Sequence, residues 1–225
     1  ADKVVAISHF TKNEIVDILH ADPDKIEVIY CAAGDEYKRA EKQSEQLKIR
    51  KKYKLYEPYI LFVGNFNPRK NLERIIRAFD QMKLKFDVEH KLVIVGEKGW
   101  VFDKEKALEG ISSLKDIHFI NYVESKDLSV IYSMADLFVF TTLYEGFGIP
   151  LIESQNCGTP VLASNISCFE EVAGKGAIYV DPYSVSDIRD GMYQILTDED
   201  LKQQLIKEGY RNSNRFSWEQ SADKL

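Results

Sequence analysis

The sequence predicts an α/β domain of the doubly wound type, built on a parallel sheet and spanning roughly residues 58–196. Two patterns carry this. Apolar runs at Tyr59–Val63, Leu92–Val95, Ile117–Ile120, Leu137–Thr141, Pro160–Ala163 and Ala177–Val180 are mostly rich in Val, Ile and Phe without strict alternation. Strands covered on both faces read this way. Helix-like stretches lie between many of them, and alternation of strand and helix is the mark of this class.

The elements follow in order. Residues 3–8 (KVVAIS) read as a strand, Thr11–His20 as a helix, and Lys25–Tyr30 as a second strand. Thr11 is the expected cap of that helix, with Glu14 completing a capping box. This single βαβ unit is too small to bury its own faces. Residues 36–57 are charged and strand-poor and read as a linker containing a helix. Asn71–Lys83 sets Leu72, Ile75, Ile76 and Phe79 at helical spacing, with Asn71 as the expected N-cap. Ser125 is expected to cap a helix carrying Leu128, Ile131 and Tyr132. Helices near Asp200–Asn212 and Trp218–Leu225 close the chain. The chain starts without Met, directly before a strand, and its last helix stops mid-pattern, so the expectation is an excised or processed fragment.

Composition narrows the function classes. With 44% apolar residues in 225, the chain can bury a real core. No apolar run approaches the roughly 18–20 residues of a membrane span. The opening ADKVVAISHF lacks the basic start and apolar block of a signal peptide. A net charge of −6 with no recurring basic stripe argues against nucleic acid as the main partner. Cys31, Cys157 and Cys168 are widely spaced and odd in number, which argues against disulfides and a zinc site and points to the cytoplasm. The histidines His9, His20, His90 and His118 form no ligand pair, so no metal is expected.

The most informative stretch is TTLYEGFGIPLIESQNCGTPVLAS, residues 141–164. A strand ends, a Gly-containing loop follows (Glu145, Gly146, Phe147, Gly148), and Pro150 stands where a helix starts. Two glycines let backbone approach a ligand, and the amides of Ile149, Leu151 and Ile152 are expected to point from the helix N-terminus, where phosphate is favoured. The carboxylates of Glu145 and Glu153 suit vicinal hydroxyls of a sugar or ribose. On the residues alone a second reading stands equally: Glu153 complements the helix dipole and Glu145 is a solvated loop residue.

A second anion element follows the first strand of the domain in VGNFNPRKNLERII. Gly64 ends the strand, and Arg69 and Lys70 flank a helix start, as suits a diphosphate; a solvated turn with two surface cations is the alternative. No GxGxxG follows Val63 and no GxxxxGK[ST] occurs, which removes the main support for dehydrogenase and P-loop readings.

Together these motifs resemble the C-terminal donor domain of retaining GT-B glycosyltransferases of the large "group one" family, whose half-fold is a Rossmann-like doubly wound parallel sheet. EGFGIPLIE resembles the family's two glutamates eight positions apart, and VGNFNPRKNL is similar to a form common among mannosyltransferase-like members. NYVESKDLSVIYSMADLFVFTTLYEGFG, CGTPVLASN and EEVAGKGAIYVDP resemble further family motifs in the same order. ADKVVAISHFTKNEI resembles the last βαβ of the family's N-terminal domain. The resemblance implies that residues 1–35 are the tail of an otherwise absent acceptor domain, 36–57 the interdomain linker, 58–215 the donor domain, and 216–225 a truncated crossing helix.

The resemblance also implies roles. Lys70 and Arg69 bind the diphosphate, Glu153 holds the ribose hydroxyls, and Glu145 contacts the transferred sugar. Gly146, Phe147 and Gly148 present backbone to that sugar; Ile149 and Leu151 add backbone contacts. Val123 meets the base and Leu128 lines the base or ribose pocket, while Gly64 and Asn65 belong to the diphosphate loop. Many members carry Arg at the position of Asn65, and the usual Asn-Gly before the linker is replaced near Ala32 and Ala33. The implied reaction moves a hexose, with GDP-mannose the first choice of donor, to a glycan or lipid-linked acceptor with retention and without a metal or other cofactor. The fragment alone is expected to bind nucleotide but transfer nothing, and the full enzyme to associate peripherally with membranes. The rivals are a non-catalytic nucleotide-sugar-binding module and a nucleotide-sugar epimerase of the same architecture.

Overall fold

Residues 2–97 and 103–225 are described in the computed structural model. The chain runs through β1 (Val4–Ala6), α1 (His9–Leu19), β2 (Ile26–Val28), α2 (Gln43–Tyr53), β3 (Tyr59–Val63), α3 (Leu72–Lys85), β4 (Lys91–Val95), α4 (Lys104–Leu108), β5 (Ile117–Ile120) and α5 (Ser125–Met134). It continues through β6 (Leu137–Phe140), α6 (Ile149–Asn156), β7 (Val161–Ser164), α7 (Phe169–Ala173), β8 (Ala177–Val180), α8 (Val185–Thr197), α9 (Glu199–Ser213) and α10 (Trp218–Ala222).

The six apolar runs form one parallel sheet in the order β5-β4-β3-β6-β7-β8. Side chains alternate between two apolar layers, which is why the runs show no polar alternation. On β3, Tyr59 and Leu61 join the layer under α5 and α6, whereas Ile60 and Phe62 join the layer under α3 and α8. The order reverses between β3 and β6: from β3 the chain builds outward to β5, then returns to the other side of β3. Open α/β sheets bind ligands beyond the carboxyl ends of the strands at such a reversal.

The expected caps are partly corrected. Helix α1 starts at His9, not Thr11; its cap is Ser8, whose extended backbone lets its hydroxyl accept from the Thr11 amide. Ser125 is the first helical residue of α5, and Glu124, the cap residue, makes no side-chain cap. Asn71 does precede α3, but its backbone is left-handed (φ 60°) and its side chain turns elsewhere. Helices α4, α7 and α8 extend the expected set.

Two strands, β1 and β2, form a separate parallel pair. Residues 38–40 lie along α5, where the Lys38 amide donates to Ser129 Oγ (3.3 Å) and the Ala40 amide to Ser133 Oγ (3.0 Å). Ile49 of α2 and Leu55 are buried in the same layer as α5. Near the end of the chain, Phe216 meets Tyr30 and Phe147 edge-on, and Ser221 donates to the Tyr30 carbonyl (2.6 Å). No helix among the described residues is long and apolar enough to cross a membrane.

Candidate donor site

The loops after β3 and β6 meet at the sheet reversal because the two strands are neighbours. Proline at 68 opens a short 3-10 turn, Pro68–Lys70, and Asn67 caps it by accepting from the Arg69 amide (3.0 Å). The Leu143 amide donates to the Arg69 carbonyl (2.8 Å), and the Arg69 guanidinium donates to the Tyr144 carbonyl. Asn71 Nδ2 donates to the carbonyls of Thr141 (2.8 Å) and Pro182 (2.7 Å), and its Oδ1 accepts from Arg74 (2.9 Å). One side chain thereby pins the ends of three loops. At Gly96, a Cβ would fall onto the Gly64 carbonyl oxygen, so the loops after β3 and β4 are also held together.

Both cations reach one carboxylate. Glu145 Oε1 lies 2.7 Å from Lys70 Nζ and 2.6 Å from an Arg69 guanidinium nitrogen. The Lys70 and Glu145 side chains are 12% and 14% exposed, and Arg69 is 41% exposed. Lys70 Nζ also stands 4.8 Å over the Phe140 ring. The sequence reading put Glu145 on the sugar and left the cations to the phosphates; here Glu145 is the counterion of both. Lys70 is 75 residues from Glu145, and no local signal announces the pairing.

Helix α6 begins at Ile149 behind Gly148, whose left-handed backbone (φ 96°) suits glycine. The Leu151 amide donates to the Gly148 carbonyl (2.9 Å), so it does not point freely from the helix start as expected. The amides of Gly146, Phe147, Gly148 and Ile149 donate to no protein acceptor among the described residues. They form a run of N–H groups next to Glu145, the arrangement that receives anionic or hydroxyl oxygens. The Phe147 side chain is buried between Tyr30 and Phe216, which leaves only its backbone open to a ligand. At the end of β6, the buried hydroxyls of Thr141 and Thr142 have no hydrogen-bond partner among the described residues.

Glu153 stands one helical turn on from Pro150 and accepts from the Tyr132 hydroxyl (3.1 Å). Burial pushes its carboxyl up to about 7, against the pull of hydrogen bonds from Tyr132 and Tyr37. Burial raises both phenols well above their usual range, so they remain donors. Sequence reasoning missed both: Tyr132 read as part of the apolar face of α5, and Tyr37 lay in the charged stretch. Leu128, one turn before Tyr132, is buried in the same layer, and Val123 is buried in the turn that precedes α5. Asn65 lies in the β3 loop beside Gly64, whose amide donates to the Val95 carbonyl (2.9 Å).

A family model, glycosyl transferases group 1, matches residues 45–212. The chain belongs to this family. It is 29% identical over 221 residues to O-antigen chain mannosyltransferase B of Escherichia coli, covering 97% of this chain and 58% of that protein. To a serotype-specific mannosyltransferase WbdA of Escherichia coli it is 30% identical over 231 residues, covering 99% of this chain and 28% of that one. The chain thus spans only part of these group 1 relatives. Among solved structures, it superposes on sucrose-phosphate synthase from Thermosynechococcus elongatus with a TM-score of 0.85 at 24% identity, covering 100% of this chain and 56% of that one. It also superposes on Anabaena HepE in complex with UDP and glucose, with a TM-score of 0.87 at 17% identity, covering 100% and 61%. These likenesses establish the fold, one shared by GT-B glycosyltransferases.

Proposed function

We propose that this chain is the donor-binding half of a retaining hexosyltransferase that takes mannose from GDP-mannose to an acceptor hydroxyl. The observation that carries the reading is the convergence of Lys70, Arg69 and Glu145 at the sheet reversal, beside the unclaimed amides before α6. Cations and N–H groups there would stabilise the charge that grows on the departing diphosphate, a role metal ions fill in other transferases. The group 1 relatives that are mannosyltransferases favour mannose as the sugar. In this reading residues 1–35 belong to an acceptor domain, joined through 36–57 to a donor domain over 58–215, with 216–225 crossing back; acceptor contacts and any membrane association lie with the rest of the protein.

The direct test is a thermal-shift panel of UDP, GDP, ADP and their sugars, with and without EDTA. Binding to the native state raises its apparent stability by mass action. The largest rise is expected with GDP and GDP-mannose and is expected to survive EDTA. No rise with any of these at millimolar concentration overturns the reading.

Glu153 adds a pH signature. A carboxylate accepts both ribose hydroxyls best when ionised, and this one titrates near 7. GDP affinity is therefore expected to climb from pH 6 to pH 8, by about tenfold per unit well below the pKa, and then level off. Binding near pH 7 should release a proton, measurable by calorimetry in buffers of different ionisation enthalpy. A pH-independent affinity would remove Glu153 from the ribose site. Fold stability runs the other way: the raised folded-state pKa means the native state holds more protons between the unfolded value and about 7, so Glu153 costs stability as pH rises through that window.

A further inference from the structure

The peptide between Gly146 and Phe147 is gripped from outside the six-stranded sheet. Ser8 Oγ, wholly buried, donates to the Gly146 carbonyl at 2.6 Å, and Thr11 Oγ1 does so at 3.1 Å. A Cβ on Gly146 would stand 3.3 Å from both Ile7 Cδ1 and Thr11 Oγ1, so glycine lets the β1–α1 unit press against this loop. The unit is tied a second time: the Glu171 carboxylate of α7 accepts from the amides of His9 (2.7 Å) and Phe10 (3.2 Å) at the start of α1. Tyr144, just before Glu145, packs edge-on against Phe10 and donates to Glu14.

A trans peptide is planar, and its N–H points opposite its carbonyl. A Gly146 carbonyl fixed toward α1 therefore fixes the Phe147 amide away from α1. That amide is one of the unclaimed N–H groups of the candidate site. Two hydroxyls on the carbonyl also polarise the shared peptide and strengthen the N–H as a donor.

We propose that Ser8 and Thr11 are positioning residues that aim the Phe147 amide at a hydroxyl of the transferred sugar. The proposal rests on the donor reading above. In that reading the cations take the diphosphate, which leaves this amide for the sugar. The β1–α1 unit would then set how well the donor domain grips the sugar, while grip on the nucleotide stays independent of it.

The test is steady-state kinetics of the full-length protein with GDP-mannose, with GDP as competitive inhibitor. Thr11→Val removes the hydroxyl but keeps the amide that Ser8 caps. It is expected to lower kcat/KM about tenfold, the scale of one lost hydrogen bond, with the inhibition constant for GDP unchanged; Thr11→Ser is expected to restore kcat/KM. Ser8→Ala, which also removes the cap of α1, is expected to lose more. Unchanged kcat/KM in both Thr11→Val and Ser8→Ala overturns the aiming role, and so do equal losses of kcat/KM and GDP affinity, which mark general loosening. A wild-type protein that neither binds GDP nor transfers mannose sinks the donor reading and this proposal with it.

Discussion

Lys70→Ala in the full-length protein is expected to lower kcat by about 10²–10³-fold at saturating donor, the usual cost of losing one fixed donor at a site of developing charge. The side chain is nearly enclosed, its ammonium stands over the Phe140 ring, and its turn is stitched to the neighbouring loop through the Arg69 carbonyl. A cation so placed would attract a ground-state diphosphate. It does more for a leaving group whose charge rises during the reaction, so kcat should fall further than KM rises. Lys70→Arg is not expected to rescue, because a planar fork does not fit where a compact ammonium meets one carboxylate oxygen. Unchanged turnover in steady-state assays would remove Lys70 from the chemistry.

Glu145→Gln is expected to move binding and turnover in opposite directions. The Glu145 carboxylate sits on the two cations that, in the proposed donor reading, take the diphosphate. In that reading an incoming donor would take those cations over and release Glu145 toward the sugar. Gln keeps the shape but gives up the competing charge. An exposed ion pair is worth roughly 0–1 kcal/mol, and this one is more enclosed than that, so GDP should bind about fivefold tighter. Without nucleotide, the two cations are left facing each other, and the thermal midpoint should fall. Turnover should drop by roughly 10–100-fold, the worth of a hydrogen bond to a charged group, because the released carboxylate no longer meets the sugar. Weaker GDP binding in Glu145→Gln would show that the carboxylate supports the nucleotide rather than competing with it.

The sheet was legible from residues because both of its faces are apolar: runs such as YILFV and LFVF leave little choice but buried strands. The two site loops were legible for a different reason: glycine, proline and paired cations at strand ends leave local marks. What stayed hidden depends on partners far away in sequence. Nothing around Glu145 says that it will choose two cations over solvent. Of the tyrosines around Glu153, Tyr132 looks like a core residue, since a phenol on an apolar helix face scans as hydrophobic, and Tyr37 is hidden in a charged stretch. Thr11 was read as a cap, when Ser8 caps the helix and the Thr11 hydroxyl turns to a carbonyl 135 residues on. Local rules name a hydroxyl's candidate acceptors; only tertiary packing selects among them.

Asn71 bears on how the site meets a ligand. Its side-chain amide spends both hydrogens on carbonyls at the ends of two other loops, and its oxygen is occupied by Arg74. The turn carrying Arg69 and Lys70 is therefore immobilised when the chain folds, not when nucleotide arrives. Ordering a loop on association consumes part of the interaction energy. Here that entropy has already been lost, so in the proposed donor reading a larger share of each phosphate contact would remain as affinity.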